Sequence, residues 1–319
     1  MRRAHEVTDS MAIIRPVRAE DEAGILRLFS TVFHSDMSPE VWRWKYLRDE
    51  YPIPAFVAEE DGEIVCHYGT IRQRIAWQGQ EHAAWDAIDV MAHPHKQGRG
   101  LFRHTIQAFM REVCEGYGLF LYGFPTERHK RLGELLVGYE PVARVHKVST
   151  LLPDTPAKAM LMDVVYDVLP LNWDAHWPLM QDRFGMLTLR DRAYLAWRYL
   201  ARPNRRYRLV TIPAMPALAI VGVRDGVARL MEFLVPSEDK RLARQVLRGA
   251  ECVAREEGAA SLEGWFPTFS WECQFLCSDA QYRAEDTEHW LECRIFDQRV
   301  SAGWLRGNFY YSFGDFDVY

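Results

Sequence analysis

Hydrophobic residues at the start of the chain follow strand spacing first and helix spacing next. Ile13–Val17 predicts a short strand, and the apolar residues between positions 20 and 33 recur on one helical face. Ser38 then predicts the start of a second helix, because it can cap the first turn and Pro39 suits the first helical position.

A meander of strands follows these helices. Two apolar runs flank Asp61-Gly62, a dipeptide that favours the tight turn of a hairpin. The predicted elements after the second helix are strands at 55–59, 64–69, 70–77 and 82–91, a helix after Gly100, a strand at 119–124, a helix at 128–137 and strands within 140–152. This order predicts a mixed α/β (α+β) domain whose sheet is mostly antiparallel.

The second half of the chain repeats parts of the first. The aromatic stretch at 42–47 resembles the one at 196–200, and both precede a strand and an Asp-Gly turn. A duplicated fold is the simplest explanation. We therefore predict two tandem domains, with their boundaries as follows: a flexible N-terminus at 1–12, a first domain at 13–152, a connector at 153–189 and a second domain at 190–319.

Composition excludes several classes of function. The net charge of −5 argues against a general nucleic-acid-binding protein. The six cysteines lack the paired spacing of a metal site, so we expect reduced thiols and no metal. No stretch has the length of a signal peptide's apolar core or of a membrane span. These features predict a soluble cytoplasmic protein.

The stretch from His95 to Phe102 carries the clearest chemical signal. Gly98 and Gly100 flank a single residue between a predicted strand and a predicted helix, and glycine lets the backbone approach a ligand closely. The helix that follows adds unpaired first-turn N–H groups and the positive end of its dipole. The sequence therefore predicts an anion site that suits a pyrophosphate.

The segment from Asp89 through Pro94 to Phe102 resembles the strand, bend and glycine loop of the GCN5-related N-acetyltransferase (GNAT) superfamily. Phe124-Pro125 and Gly138-Tyr139 resemble later points of the same fold. The repeat within the chain resembles the tandem form of this superfamily. The resemblance implies two acyl-CoA N-acyltransferase-like domains, each a mixed, mostly antiparallel sheet flanked by helices.

The resemblance also implies the donor, which is acetyl-CoA or another acyl-CoA. Its pyrophosphate would lie on the loop, with added charge from Lys96 and Arg99, although His95 stands where the family often has Arg or Gln. A backbone N–H between Val90 and Ala92 would polarise the thioester carbonyl. The residues implied in donor binding are Val90, Met91, Ala92, Lys96, Gln97, Gly98, Arg99, Gly100, Leu101, Phe102 and Thr126.

The catalytic residues are less fully specified. Asp89 is the predicted base, and strand alternation would place Asp86 on the opposite face of the sheet. The position at which the family often has a tyrosine acid is Glu134 here. Tyr122 or Tyr139 is the substitute that the sequence offers, with packing as the alternative for each. For Thr126 the alternative to pantetheine contact is helix capping.

The second half departs further from the family pattern. Ser237–Lys240 replaces the glycine loop with two carboxylates, so we expect one active site, in the first half. The aromatic segment at 308–319 either stacks on an acceptor or packs over the boundary between the domains.

These features predict an acyl-CoA-dependent N-acyltransferase that attacks the thioester directly with a primary amine of a small metabolite or amino sugar. Two alternatives stay open. One is a Fem-like transferase that uses aminoacyl-tRNA, against which the intact glycine loop argues. The other is a non-catalytic acyl-CoA- or carrier-binding module.

Overall fold

The computed structural model describes residues 12–48, 53–98, 100–114, 118–153, 164–213 and 215–317. The flexible N-terminus predicted at 1–12 therefore lies outside the described residues, apart from residue 12.

The first half contains the predicted alternation of strands and helices. Its elements are β1 (Ile13–Pro16), α1 (Glu22–Phe33), α2 (Pro39–Tyr46), β2 (Ala55–Glu60), β3 (Glu63–Trp77), β4 (Gln80–Ala92), α3 (Leu101–Phe109), β5 (Phe120–Gly123), α4 (Glu127–Leu136) and β6 (Glu140–Leu151). The Ser38 side chain caps α2 by accepting from the Val41 N–H, as predicted. The strands predicted at 64–69 and 70–77 are one continuous strand, β3.

The second half repeats this pattern with additions. Its elements are β7 (Val165–Tyr166), α5 (Trp173–Gln181), β8 (Met186–Thr188), α6 (Arg192–Leu195), β9 (Tyr207–Ile212), β10 (Met215–Arg224), β11 (Val227–Leu234), α7 (Lys240–Glu256), β12 (Ser261–Trp265), α8 (Trp271–Ser278), β13 (Arg283–Ile295), α9 (Ala302–Asn308) and β14 (Phe309–Tyr310). The segment 153–189 is therefore more than a connector, since β8 pairs with β3 and with β14.

All of these strands belong to one mixed sheet. Its main path runs β1-β2-β3-β4-β5-β13-β6-β12-β11-β10-β9-β7. Most neighbours are antiparallel, but β4 and β5 are parallel and are joined through α3. In the second half β11 and β12 are parallel and are joined through α7. The crossover of the first half thus has a counterpart in the second.

The two halves exchange strands at the centre of the sheet. β13, from the end of the chain, lies between β5 and β6, and it pairs antiparallel with both. β6, from the first half, lies between β13 and β12. Each half therefore needs a strand of the other to complete its part of the sheet.

Helices and the C-terminal segment cover the sheet. α1 and α2 pack on one face of the first half through Ile25, Leu28 and Trp42, and α3 packs on the opposite face through Ile106 and Phe109. The aromatic C-terminal segment is buried in the central core, where Tyr310, Tyr311 and Phe313 are each at most 2% exposed. This burial matches the packing alternative for these rings.

Candidate active site

The candidate site is a cavity of about 580 Å³ that opens where β4 and β5 separate. The two strands pair only at Trp85–Leu121 and Asp86–Tyr122. Beyond these pairs both strands continue, and residues of each line the cavity. Backbone groups on the facing edges are thus available to a ligand that enters the gap.

The glycine loop forms one end of this cavity. Gly98 and Gly100 both have positive φ, +82° and +78°, a conformation that favours glycine. α3 begins directly after Gly100, and no side chain caps its N-terminus. Its first-turn N–H groups are therefore open to an anion. The predicted donor residues on this wall are Gln97, Gly98, Gly100, Leu101 and Phe102, while Arg99 lies outside the described residues.

Lys96 also lines the cavity, but it already forms an ion pair within the protein. Its ammonium group forms an ion pair with the buried carboxylate of Glu60, while about a third of the Lys96 side chain stays exposed. An incoming phosphate would therefore meet a lysine that is held in place by a second anion.

A β-bulge in β4 brings two aspartates to the same cavity. Ile88 pairs with Gly69 and Met91 with His67, so Asp89 and Val90 together oppose one residue. Asp89 takes a positive φ of 46° at this point. The extra residue breaks the strict alternation of the strand, and both Asp86 and Asp89 line the cavity. The prediction that they lie on opposite faces is wrong for this reason.

The three residues that follow Asp89 differ in whether their side chains face the cavity or the core. Val90 and Ala92, which the sequence predicted as donor-binding residues, line the cavity. The Met91 side chain is 1% exposed and packs in the core with Ile88 and Trp42. Met91 can therefore offer a ligand only its backbone.

Asp89 is held by two residues of α2. Its carboxylate accepts hydrogen bonds from Lys45 Nζ at 2.8 and 3.1 Å and from the Tyr46 hydroxyl at 2.8 Å. The same ammonium contacts Asp317 at 3.0 Å. Burial lowers the pKa of Lys45, but the two carboxylates outweigh it and raise that pKa above its ordinary value. Lys45 is therefore a cation that bridges α2, the bulge and the C-terminal segment.

Asp86 is a buried carboxyl group with a raised pKa. Its side chain is buried, and none of the hydrogen bonds among the described residues involves its carboxyl group. Burial raises the pKa of Asp86 well above its usual range, and the negative charges of Asp317 and Asp315 raise it further. The buried Asp86 carboxylate is therefore a stronger proton acceptor than an exposed aspartate.

A carboxyl group from the second half completes the opposite wall. Glu292 on β13 pairs with Gly123 at the end of β5, and its side chain lines the cavity. Its Oε2 atom is buried and has no hydrogen-bond partner among the described residues. Burial raises the pKa of Glu292 to about 8, with a contribution from Glu134 that Lys130 partly offsets.

Two tyrosines stand beside Glu292. The hydroxyls of Tyr68 and Tyr139 lie 3.0 Å apart, and both residues line the cavity. Burial raises the pKa of each hydroxyl above its ordinary value. These phenols therefore hold their protons more tightly than a free tyrosine does.

Two sequence-predicted residues lie off the cavity wall. The Tyr122 side chain is fully buried and packs against Phe120, Phe124 and Phe309 on the core side of β5. It does not reach the ligand space, because residues on this strand alternate between faces. Thr126 is the N-cap residue of α4, and its hydroxyl contacts His129 Nδ1 at 3.1 Å.

The second half lacks an equivalent anion site at α7. The Asp239 carboxylate accepts hydrogen bonds from the N–H groups of Arg241 and Leu242 at 2.8 and 3.1 Å. The helix N-terminus that a phosphate would need is thus already capped by a negative charge.

The described residues contain no group of three or more side chains that could hold a metal ion. Among the helices of the described ranges, none is long and apolar enough to span a membrane.

The part of the chain that contains most of the cavity residues matches a known domain family. The sequence profile of the acetyltransferase (GNAT) domain family matches residues 13–131. This range includes β4, the glycine loop, α3 and β5, and it ends within α4, before Tyr139 and Glu292. No curated protein matches the chain in sequence.

Solved structures resemble the chain over most of its length. A protein from Enterococcus faecalis V583, described as a probable N-acyltransferase, has a TM-score of 0.63 at 11% identity over 90% of this chain and 73% of its own. A GCN5-related N-acetyltransferase from Kribbella flavida has a TM-score of 0.62 at 13% identity over 90% and 71%. A putative acetyltransferase from Pyrococcus horikoshii has a TM-score of 0.58 at 14% identity over 92% and 95%. At such identities the likeness shows a shared fold.

Proposed function

We propose that the chain is a member of the GNAT superfamily and an acyl-CoA-dependent N-acyltransferase, most simply an N-acetyltransferase, on the basis of the GNAT-domain match at residues 13–131. We further propose that the two halves form a tandem pair of GNAT-like domains with a single donor site. The observation that carries the proposal is one continuous cavity, which runs from the uncapped N-terminus of α3 into the gap between β4 and β5.

The cavity fits the two chemically distinct parts of coenzyme A. The open N–H groups after Gly100 suit the pyrophosphate, because they combine hydrogen-bond donors with the positive end of a helix dipole. The separated edges of β4 and β5 offer unpaired backbone groups to the amides of pantetheine. The bound thioester supplies the activated acyl group, and a backbone N–H in the bulge near Val90 is placed to polarise its carbonyl.

Asp86 is the proton acceptor that the geometry favours. Attack requires a neutral amine, so one proton must leave the incoming ammonium group. Asp89, the sequence-based prediction for the base, is ion-paired with Lys45 and accepts a hydrogen bond from the Tyr46 hydroxyl, so its carboxylate oxygens already have donors. Burial raises the pKa of Asp86, and this strengthens its carboxylate as a proton acceptor.

The acceptor is proposed to be a small cationic primary amine, such as a metabolite or an amino sugar. Asp86, Asp89 and Asp317 line the cavity, and Lys45 forms ion pairs with Asp89 and Asp317. The excess of carboxylates favours an ammonium group over an anion. We place the reaction in the cytoplasm, consistent with six free cysteines.

The test is acyl transfer itself. Acetyl-CoA is incubated with a panel of primary amines that includes diamines, amino sugars and, as controls, amino acids with a free carboxylate. Thiol release and the mass of the product are both followed. We expect N-acetylation of at least one cationic amine. CoA binding without product on any amine would instead favour a non-catalytic acyl-CoA-binding module.

A further inference from the structure

The strand exchange places a residue of the second half at the donor site of the first. Glu292 is about 200 positions from the bulge in sequence, yet it lies one strand away from the gap. Its pairing partner Gly123 lines the cavity, and a Cβ on Gly123 would lie 3.7 Å from Ala87 of β4. Glu292 therefore stands beside the point at which the two strands part.

The carboxyl group of Glu292 is buried, and one of its oxygen atoms lacks a hydrogen-bond partner in the part of the chain that the structure describes. The residue is 1% exposed, it lines the cavity, and its Oε2 atom has no partner among the described residues. α4 covers it closely, since a Cβ on Gly133 would clash with both Glu292 and Tyr139. A buried polar atom without a partner costs free energy, so its position at a ligand cavity points to a partner supplied by the ligand.

Burial is the main reason that Glu292 keeps its proton. Glu134 on α4 raises the pKa of Glu292 further, and Lys130 on the same helix lowers it by less. The neighbouring hydroxyls of Tyr68 and Tyr139 are neutral, because burial raises the pKa of both. With a pKa of about 8, the side chain carries its proton at neutral pH. It is then a hydrogen-bond donor of an acidity close to that of a thiol.

We propose that Glu292 of the second half is the general acid of the first-half site and protonates the departing thiolate of coenzyme A. This inference rests on the proposed acyltransferase function. The amine lone pair forms the C–N bond, the C–S bond breaks, and its electron pair stays on sulfur. Asp86 takes the first proton from the ammonium group before attack and releases it to solvent, and it takes the second from the nitrogen once the C–N bond has formed. The Glu292 proton passes to the sulfur. Solvent then returns a proton to Glu292 and removes one from Asp86.

The first experiment compares Glu292→Gln with wild type and with Glu285→Gln. Glu285 is an exposed carboxylate on the same strand, paired with Lys147, so it serves as the matched control. We expect Glu292→Gln to lower kcat by about 100-fold, the usual contribution of a proton donor, with CoA affinity unchanged. The wild-type rate should fall as pH rises through about 8, and this fall should be absent from the residual activity of the variant.

If Glu292→Gln has a normal kcat and its rate still falls as pH rises through about 8, Glu292 is not the general acid, although acyl transfer itself stays established. Equal losses of kcat and CoA affinity would make Glu292 a structural residue. Glu292→Asp keeps a carboxylic acid, and we expect it to recover part of the rate.

The second experiment is spectroscopic and does not depend on enzyme turnover or on an active variant. Infrared difference spectra of wild-type protein are recorded across pH, with and without CoA, and the band of the protonated carboxyl is assigned by its loss in Glu292→Gln. We expect this band to persist at neutral pH, to titrate near 8, and to shift when CoA binds. The inference would be contradicted if Glu292 titrated near its ordinary pKa of 4.5, or if its band did not shift on CoA binding. The result stands even where the amine panel gives no product, so the two failures are distinguishable.

Discussion

At the scale of single residues, one inserted position changes the chemistry of the site. Three residues separate Asp86 from Asp89, and regular alternation would place their side chains on opposite faces. The bulge at Asp89 reverses that parity, and both carboxylates line the same cavity. Sequence predicted Asp89 as a site residue, but it could not predict the bulge, because the register of β4 against β3 is set by contacts between strands.

Asp86 and Asp89 are expected to respond differently to the same substitution. Asp86→Asn removes the proton acceptor, so kcat should fall about 100-fold or more while CoA affinity is retained. Asp89→Asn leaves the buried Lys45 with a weaker partner, and loss of a buried ion-pair partner costs about 3 kcal/mol. Steady-state kinetics and urea unfolding of both variants measure the two effects. A larger kcat loss in Asp89→Asn, at unchanged stability, would return the role of base to Asp89.

Glu292 should also influence how stability depends on pH. Its pKa is about 8 in the folded chain and near 4.5 when unfolded, so between these values the native state binds more protons. Its contribution to stability is therefore present below 4.5 and is lost as pH rises through about 8, at about 1.4 kcal/mol per pKa unit. Glu292→Gln should gain stability relative to wild type from pH 5 to pH 9. Chemical denaturation across that range measures the difference, and a constant difference would contradict the raised pKa.

At the scale of elements, two similar crossover helices differ at their first turn. α3 follows Gly100 and has no side-chain cap, whereas α7 is capped by the Asp239 carboxylate. Sequence predicted this contrast well, because glycines and capping residues act locally on the backbone. It predicted Tyr122 less well, since the face that a strand residue occupies depends on how the whole sheet is covered.

Removing the cap of α7 should affect stability alone. Asp239→Ala loses two hydrogen bonds to the helix N-terminus, and a lost N-cap costs about 1 kcal/mol. CoA affinity and a stoichiometry of one per chain should be unchanged. Thermal unfolding and calorimetric titration test both points. A marked change in CoA binding would indicate a second donor site on α7.

At the scale of the whole molecule, the two halves form one sheet through exchanged strands. The sequence repeat predicted two similar domains, and helix and strand spacing predicted most of their elements. It could not predict that β13 separates β5 from β6, because the pattern of apolar residues is the same for either pairing. Glu292 was missed for the same reason, since nothing near it in sequence marks it as a site residue.

The exchange predicts that neither half folds alone. A fragment of residues 1–153 would lack β13, which leaves β5 and β6 without their shared neighbour and exposes edges that are prone to aggregate. We expect cooperative unfolding only when this fragment is coexpressed with residues 154–319. Circular dichroism of the separate and combined fragments is the measurement. Cooperative unfolding of the first fragment by itself would contradict the shared sheet.

The central claim is that the loop at Gly98 and the gap between β4 and β5 form the one coenzyme A site. Isothermal titration with CoA tests it on wild type, Gly98→Glu and Gly258→Glu. Gly98 and Gly258 have φ values of +82° and +80° and no atom within 4 Å of an added Cβ, so both variants carry the same backbone strain and the same charge.

We predict one CoA per chain for wild type and for Gly258→Glu, and no binding for Gly98→Glu. Unchanged affinity in Gly98→Glu, or no CoA binding by the wild-type chain, would contradict the claim.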